Sequence, residues 1–153
     1  MSGDRPLQDL LTEAQDGRLS VSFGGSVRLD AEEFVYIERE CQSFKDLIRE
    51  LQRTASDISK REVWGLGEAV AELTSAKTMV NRFRQKGQGS DNSVHAVLEQ
   101  HYQIVDDLQV LHRTIAQRFQ ASDAEFASRY TELMAETPQP GTPGGGDTPQ
   151  DRA

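Results

Sequence analysis

The chain has 153 residues, enough for one folded domain with tails, and a formal net charge of −8 with 36% apolar and 27% charged residues. The negative charge disfavours phosphate backbones and anionic lipid as partners, and no apolar run is long enough to cross a bilayer. The low apolar fraction suits an elongated helical body better than a compact sheet protein, because such a body has much surface per residue.

Residues 5–15 are predicted to form a short amphipathic helix with Leu7, Leu10, Leu11 and Ala14 on one side, Pro6 in its first turn and Gly17 at its stop. Residues 19–29 follow. Leu19, Val21, Phe23, Val27 and Leu29 alternate with polar residues on both sides of Gly24-Gly25, the pattern of a small β-hairpin; an unpaired extended arm fits the same residues. The first long helix is expected from Asp30 as N-cap, with Glu33 three residues on as in a capping box. Its apolar series is Phe34, Ile37, Cys41, Phe44, Ile48, Leu51, Ala55 and Ile58, spaced alternately by three and four as a bundle seam requires, and widened by Tyr36 and Leu47. About 29 residues make a rod of roughly 43 Å.

The lone Trp64 stands in Trp64-Gly65-Leu66-Gly67, a glycine-flanked corner. A second helix is expected beyond it, carrying Leu66, Val70, Leu73, Ala76, Val80 and Phe83, with Arg82, Arg84 and Lys86 complementing the dipole at its end. Residues 87–92 form a second break. The third helix carries Val94, Val97, Leu98, His101, Ile104, Val105, Leu108, Leu111, Ile115 and Phe119. The pattern runs on through Phe126, Tyr130 and Leu133 without Gly or Pro, which favours one continuous helix; Ser122 to Glu125 offer caps for two. From Thr137 the chain turns to four prolines and a Gly-Gly-Gly run, the composition of a disordered tail. The fold expected is all-α: an elongated antiparallel bundle of three to four helices over residues 30–136, preceded by an N-terminal segment 1–29 and followed by the tail 137–153.

No catalytic arrangement emerges. His95, His101 and His112 are the histidines, and none follows a Glu by three residues as an inward-facing di-iron pair requires. His101 and His112 share a face but lie about 16 Å apart along it, too far to ligate one ion. Cys41 falls on an apolar helical position and reads as a small core residue rather than an activated thiolate. Gly24-Gly25 and Gly87-Gln88-Gly89 lack the Lys-Ser/Thr partner of a phosphate loop. The sequence therefore predicts no enzyme, no cofactor and no metal, no nucleic-acid partner and no membrane span. Seams on three long helices exceed what one extended chain can bury, so a homodimer or a heterodimer with a similar helical protein is expected.

The Trp corner resembles the WXG family, small leaderless helical proteins exported by the type VII (ESX) systems of actinobacteria and related bacteria. That family sets Trp-x-Gly in the turn of a helical hairpin and Tyr-x-x-x-Asp/Glu downstream as part of the export signal. Here Gly65 follows Trp64 directly and Gly67 comes third, so the spacing is shifted, and Tyr102-Gln-Ile-Val-Asp106 matches the second motif in form. The resemblance spans at most residues 30–136. It implies a helical interaction protein, a secretion substrate or accessory factor, in which Trp64, Gly65 and Gly67 fix the corner and Tyr102 with Asp106 forms an exposed recognition pair. Met1 to Pro6 lack a charged-then-apolar leader, so the expected location is the cytoplasm, with export requiring a route that needs no cleaved signal. The alternative is a cytosolic helical adaptor or chaperone-like protein that is not exported.

Overall fold

A computed structural model describes residues 5–20 and 30–136, so most of the expected hairpin (21–29) and the tail 137–153 lie outside the described residues. The fold is all-α. Its elements are α1 (Gln8–Gln15), α2 (Ala31–Lys60), α3 (Thr74–Gly87), α4 (Val94–Ser122) and α5 (Ala124–Ala135), with no strand among the described residues.

Three of these helices start on a side-chain cap. Asp30 accepts from the Glu32 N–H at 2.9 Å, Ser93 from Ala96 at 3.2 Å and Asp123 from Phe126 at 2.9 Å. Each cap satisfies an N–H that has no partner inside its helix.

α4 runs antiparallel to α2, and three cross-links set the register. Gln52 Nε2 donates to Glu99 at 2.9 Å, Lys45 Nζ donates to Asp106 at 2.9 Å, and Arg113 donates to Glu38. Gln109 Nε2 adds a second donor to Glu38 at 2.7 Å. α3 continues in the same sense as α4, beside the end of α2, where Ser59 Oγ donates to the Arg84 carbonyl at 2.8 Å. The approach is close: a Cβ on Gly87 would stand 2.9 Å from the Ala55 carbonyl oxygen.

The chain turns at Asp123, whose extended backbone (φ −135°, ψ 108°) ends α4 and caps α5. The expected continuous helix is thus two. The break lets Phe126 meet Phe34 edge-on at 5.6 Å and Phe119 at 5.9 Å, and Phe34 also meets Phe119 at 5.9 Å. This aromatic triad closes one end of the α2–α4 pair, a gain a straight helix would forgo. On the other flank of α4, α1 buries Leu11 and Ala14. The Leu7 N–H donates to Asp107 at 3.0 Å, and Arg118 holds the Gln15 carbonyl at 2.8 Å.

The seam of α2 differs from the expected one. Ile48 and Ala55 are buried, but so are Glu38, Lys45 and Gln52, while Phe44, Leu51 and Ile58 are 51%, 44% and 44% exposed. The helix is rotated so that a polar row faces α4 and the apolar row sits at the flank. The rotation is tolerated because every one of those three polar side chains meets a partner on α4.

Phe126 is buried and central to the triad, whereas Asp123 contributes one cap. Phe126→Ala is therefore expected to cost about 3–5 kcal/mol and Asp123→Ala about 1 kcal/mol in urea unfolding. Equal losses would remove the triad from its role in closing the bundle.

Candidate functional site

The Trp64 corner is a loop over residues 61–73, not the first turns of a helix. Gly65 and Gly67 hold φ of +73° and +92°, left-handed backbone that excludes a helix through them. The Glu68 carboxylate accepts the N–H groups of Trp64, Gly65 (3.1 Å) and Leu66 (2.8 Å), supplying acceptors where a helix would have used carbonyls. These bonds, the Trp64 N–H foremost, lower the Glu68 carboxyl from 4.5 to about 2. The second helix consequently starts at Thr74, and Leu66, Val70 and Leu73 are exposed in the loop instead of lining a helical seam.

Trp64 itself is anchored twice. Its Nε1–H donates to the Arg61 carbonyl at 3.1 Å, and its ring stacks on Phe83 at 5.8 Å with a 26° interplanar angle. Arg84 ties the loop down by donating to the carbonyls of Arg61 and Glu62, both at 3.0 Å. Beside the stacked pair lies an open groove of about 450 Å³ lined by Leu51, Ile58, Trp64, Phe83, Val94 and Leu98, with Thr54 and Lys86 as its polar side chains.

That groove is one end of a longer apolar face. On α2, Phe44 and Leu47 precede Leu51 by seven and four residues, on the same side, and are 51% and 48% exposed. On α4, Val97, Ile104 and Leu108 continue from Val94 and are 40%, 38% and 38% exposed. Among the described residues no helix covers this face.

Tyr102 and Asp106 lie elsewhere, in the polar layer between α2 and α4. The Arg49 guanidinium stands 3.7 Å from the Tyr102 ring centroid, a cation–π contact, and also donates to Glu99 at 2.6 Å. Asp106 bonds Lys45 and Arg5, and these bonds, Lys45's first, hold its carboxyl below the usual range against the opposing effect of burial. Glu99 is likewise lowered, by Gln52 first and then by Arg49. The structure thus groups Trp64, Gly65 and Gly67 at the corner and Tyr102 with Asp106 in the layer.

The remaining titratable groups are structural in setting. His112 packs edge-on against Phe34 at 6.2 Å, and burial pushes its pKa down despite the charge of Glu38. Burial, followed by Glu38, pushes the Cys41 thiol up, which favours the unreactive protonated form. Among the described residues no group of three or more His, Cys, Asp or Glu is placed to hold a metal ion, and no helix is long and apolar enough to cross a membrane.

Sequence reasoning missed Glu38, Lys45, Gln52 and Gln109 as determinants of the packing. A signal exists: Glu38, Lys45 and Gln52 recur every seven residues, as do Glu99, Asp106 and Arg113. No family model matches this chain, and no curated protein or solved structure matches it either.

Because the Glu68 carboxyl is depressed, the ionised form stabilises the corner fully above the ordinary 4.5, and this contribution is lost as pH falls through about 2. Fluorescence of the single tryptophan is expected to report an acid transition in that window, and Glu68→Gln should alter the emission at neutral pH and abolish the transition. An unchanged titration in Glu68→Gln would detach the carboxylate from the corner.

Proposed function

We propose that this chain is a non-enzymatic helical protein–protein interaction module whose working surface is the apolar face of α2 and α4 with the Trp64 groove at its end. The observation that carries this reading is the exposure of Phe44, Leu47, Leu51, Ile58, Val94 and Val97 on two neighbouring helices. A contiguous apolar face of this kind, rimmed by polar residues, marks an interaction site in an otherwise charged chain. Its two parallel ridges suit a partner that lays a helix between them. The partner is a protein, either this chain itself or a similar helical one.

The setting we propose is type VII secretion, with the chain as a substrate or accessory factor. It rests on the resemblance of Trp64-Gly65-Leu66-Gly67 and of Tyr102 to Asp106 to the motifs of the WXG family. One observation favours the second reading, a cytosolic adaptor or chaperone-like protein that is not exported: Tyr102 and Asp106 are engaged by Arg49, Lys45 and Arg5 of the same chain.

A photo-crosslinking residue at Leu51 or Val97 of the chain in its native cells is expected to give adducts with a protein, and one at Arg53, on another side of α2, to give none. Adding Leu47→Glu should lower the adduct yield about tenfold or more. Equal adducts from Leu51 and Arg53 would end the face's role. Detection in the culture medium, lost on replacing Tyr102 and Asp106 by Ala with helicity retained, distinguishes export from the cytosolic reading; absence of the unaltered chain from the medium excludes export.

A further inference from the structure

We infer that the Trp64 groove receives the chain's own Pro-rich tail, with Pro149 laid on the Trp64 ring and Asp147 and Asp151 on either side of it. This goes beyond the interaction reading: the tail competes within one molecule for one end of the apolar face and leaves the rest of that face open.

The chemistry of the groove selects for proline. Its wall is Leu51, Ile58, Trp64, Phe83, Val94 and Leu98, around a volume of about 450 Å³. From Leu51 to Ile58 it runs about 10 Å, close to the rise of three residues in a polyproline helix. Thr54 and Lys86 are its polar side chains, and the Thr54 hydroxyl already donates to the Glu50 carbonyl at 3.1 Å. An ordinary peptide laid here strands N–H groups over apolar surface. Proline has no N–H, and its ring packs on aromatic walls. The Trp64 ring is held beforehand by Phe83 at 5.8 Å and by the Arg61 carbonyl at 3.1 Å, so docking need not order it.

Reach decides which proline. α5 ends at Ala135, and the Leu133 carbonyl accepts from Arg39 at 3.3 Å. Measured from Arg39 along α2, the groove spans Leu51 to Ile58, about 18 to 29 Å away. In polyproline geometry Pro138 and Pro140 lie about 9 and 16 Å of chain beyond Ala135, short of the groove. Pro143, at about 25 Å, reaches its near end only by a straight path. Pro149, at about 43 Å, has chain to spare for passing around α2.

Charge agrees with this choice. Asp147-Thr148-Pro149-Gln150-Asp151 holds two acids and no base. In a chain of net charge −8, α3 carries Lys77, Arg82, Arg84 and Lys86 and no acid, and Lys86 lines the groove. The carboxylates stand about 6 Å to each side of Pro149, where this positive stretch attracts them. The contact can be weak and still form. A tether of this kind gives an effective concentration on the order of 1 mM, so a Kd of about 0.1 mM leaves about nine-tenths of the chains closed, and hardly any pairing between chains at a few micromolar.

The single tryptophan reads the result in the full chain. In a Cys41→Ala background, a nitroxide on Gln150→Cys is expected to lower Trp64 emission roughly fivefold relative to the same labelled chain carrying Pro149→Ala, at unchanged helicity. The quenching should persist on dilution from tens of micromolar to one. Lys86→Glu should weaken it, and a label on Gln139→Cys should leave Trp64 bright. Equal emission with and without Pro149→Ala would overturn the proposal, and so would quenching lost on dilution, which assigns the tail to a neighbouring molecule. In cells, Pro149→Ala should raise photo-adducts at Leu51, inside the groove, and leave those at Val97, outside it, unchanged. Val97 adducts without quenching sink the tail contact alone. Quenching without adducts at Val97 supports the tail contact and removes the interaction module.

Discussion

The structure depends on a three-rung polar ladder between α2 and α4. Gln52 meets Glu99, Lys45 meets Asp106, and Glu38 meets Arg113. The rungs are seven residues apart on both helices, so each pair recurs about every 10.5 Å, two helical turns along. The charges in the ladder are also an address. Sliding α4 by one heptad in one direction would put Glu38 against Asp106; sliding it in the other would put Lys45 against Arg113. Either slip places like charges in a layer where Lys45 and Glu38 side chains are about nine-tenths buried. An apolar seam of equal length would accept those slips with little penalty. The ladder therefore supplies register rather than bulk stability, the best-attested use of buried polar groups in helical assemblies.

Turning the polar row inward has a consequence on the outside. The apolar row of α2 lies beside the polar row, so it moves to the flank when Glu38, Lys45 and Gln52 face α4. The same holds for Val97, Ile104 and Leu108 on α4. The molecule thus has a specific, charged interior contact and an exposed apolar flank on different sides of the same two helices. The Trp64 corner extends the flank past the end of α2. Stacking on Phe83 and the hold of Glu68 on three successive N–H groups fix the loop, and Gly87 lets α3 reach α2 closely enough to place Phe83 there.

Much of this was legible from the residues and some was not, for definable reasons. The helical class, the α2 start at Asp30 and the short first helix follow from local signals: a cap, a period and a stop. The glycines at 65 and 67 were legible as a corner but not as a thirteen-residue loop. Nothing local distinguishes a glycine that interrupts a helix from a left-handed pair in a loop where the Glu68 carboxylate holds the N–H groups of Trp64, Gly65 and Leu66. The break at Asp123 carried a cap signal, yet continuous periodicity masked it; the decision came from Phe34, some ninety residues away in sequence. The orientation of α2 was the least legible. Its apolar and polar rows both recur at heptad spacing, and the choice between them depends on whether α4 presents matching partners. Burying a Lys or a Glu is costly in the absence of such partners and acceptable in their presence, so the answer lies in the pairing of two helices and not in either one. The face, in turn, was legible only as a surplus of apolar residues.

The different burial of the charges divides the molecule into parts of unequal robustness. The ladder's Glu38 and Lys45 are shielded from solvent, whereas the end contacts Arg129–Glu32 and Arg49–Glu99 are between 37% and 62% exposed and are screened by salt. α1 lies between these cases. Its Arg5 is 41% exposed but meets Asp107, whose side chain is fully buried. The carboxylate is satisfied only while Arg5 and the Leu7 N–H stay docked; when α1 lifts, water takes their place. Opening α1 therefore costs the burial of Leu11 and Ala14, the two ion pairs of Arg5 with Asp106 and Asp107, and the hydrogen bonds of the Leu7 N–H and Arg118, less than separating α2 from α4. The N-terminal helix is therefore expected to open first; Asp106 then loses Arg5 but keeps Lys45, so the rung persists, and the apolar face lies on the other side of α4.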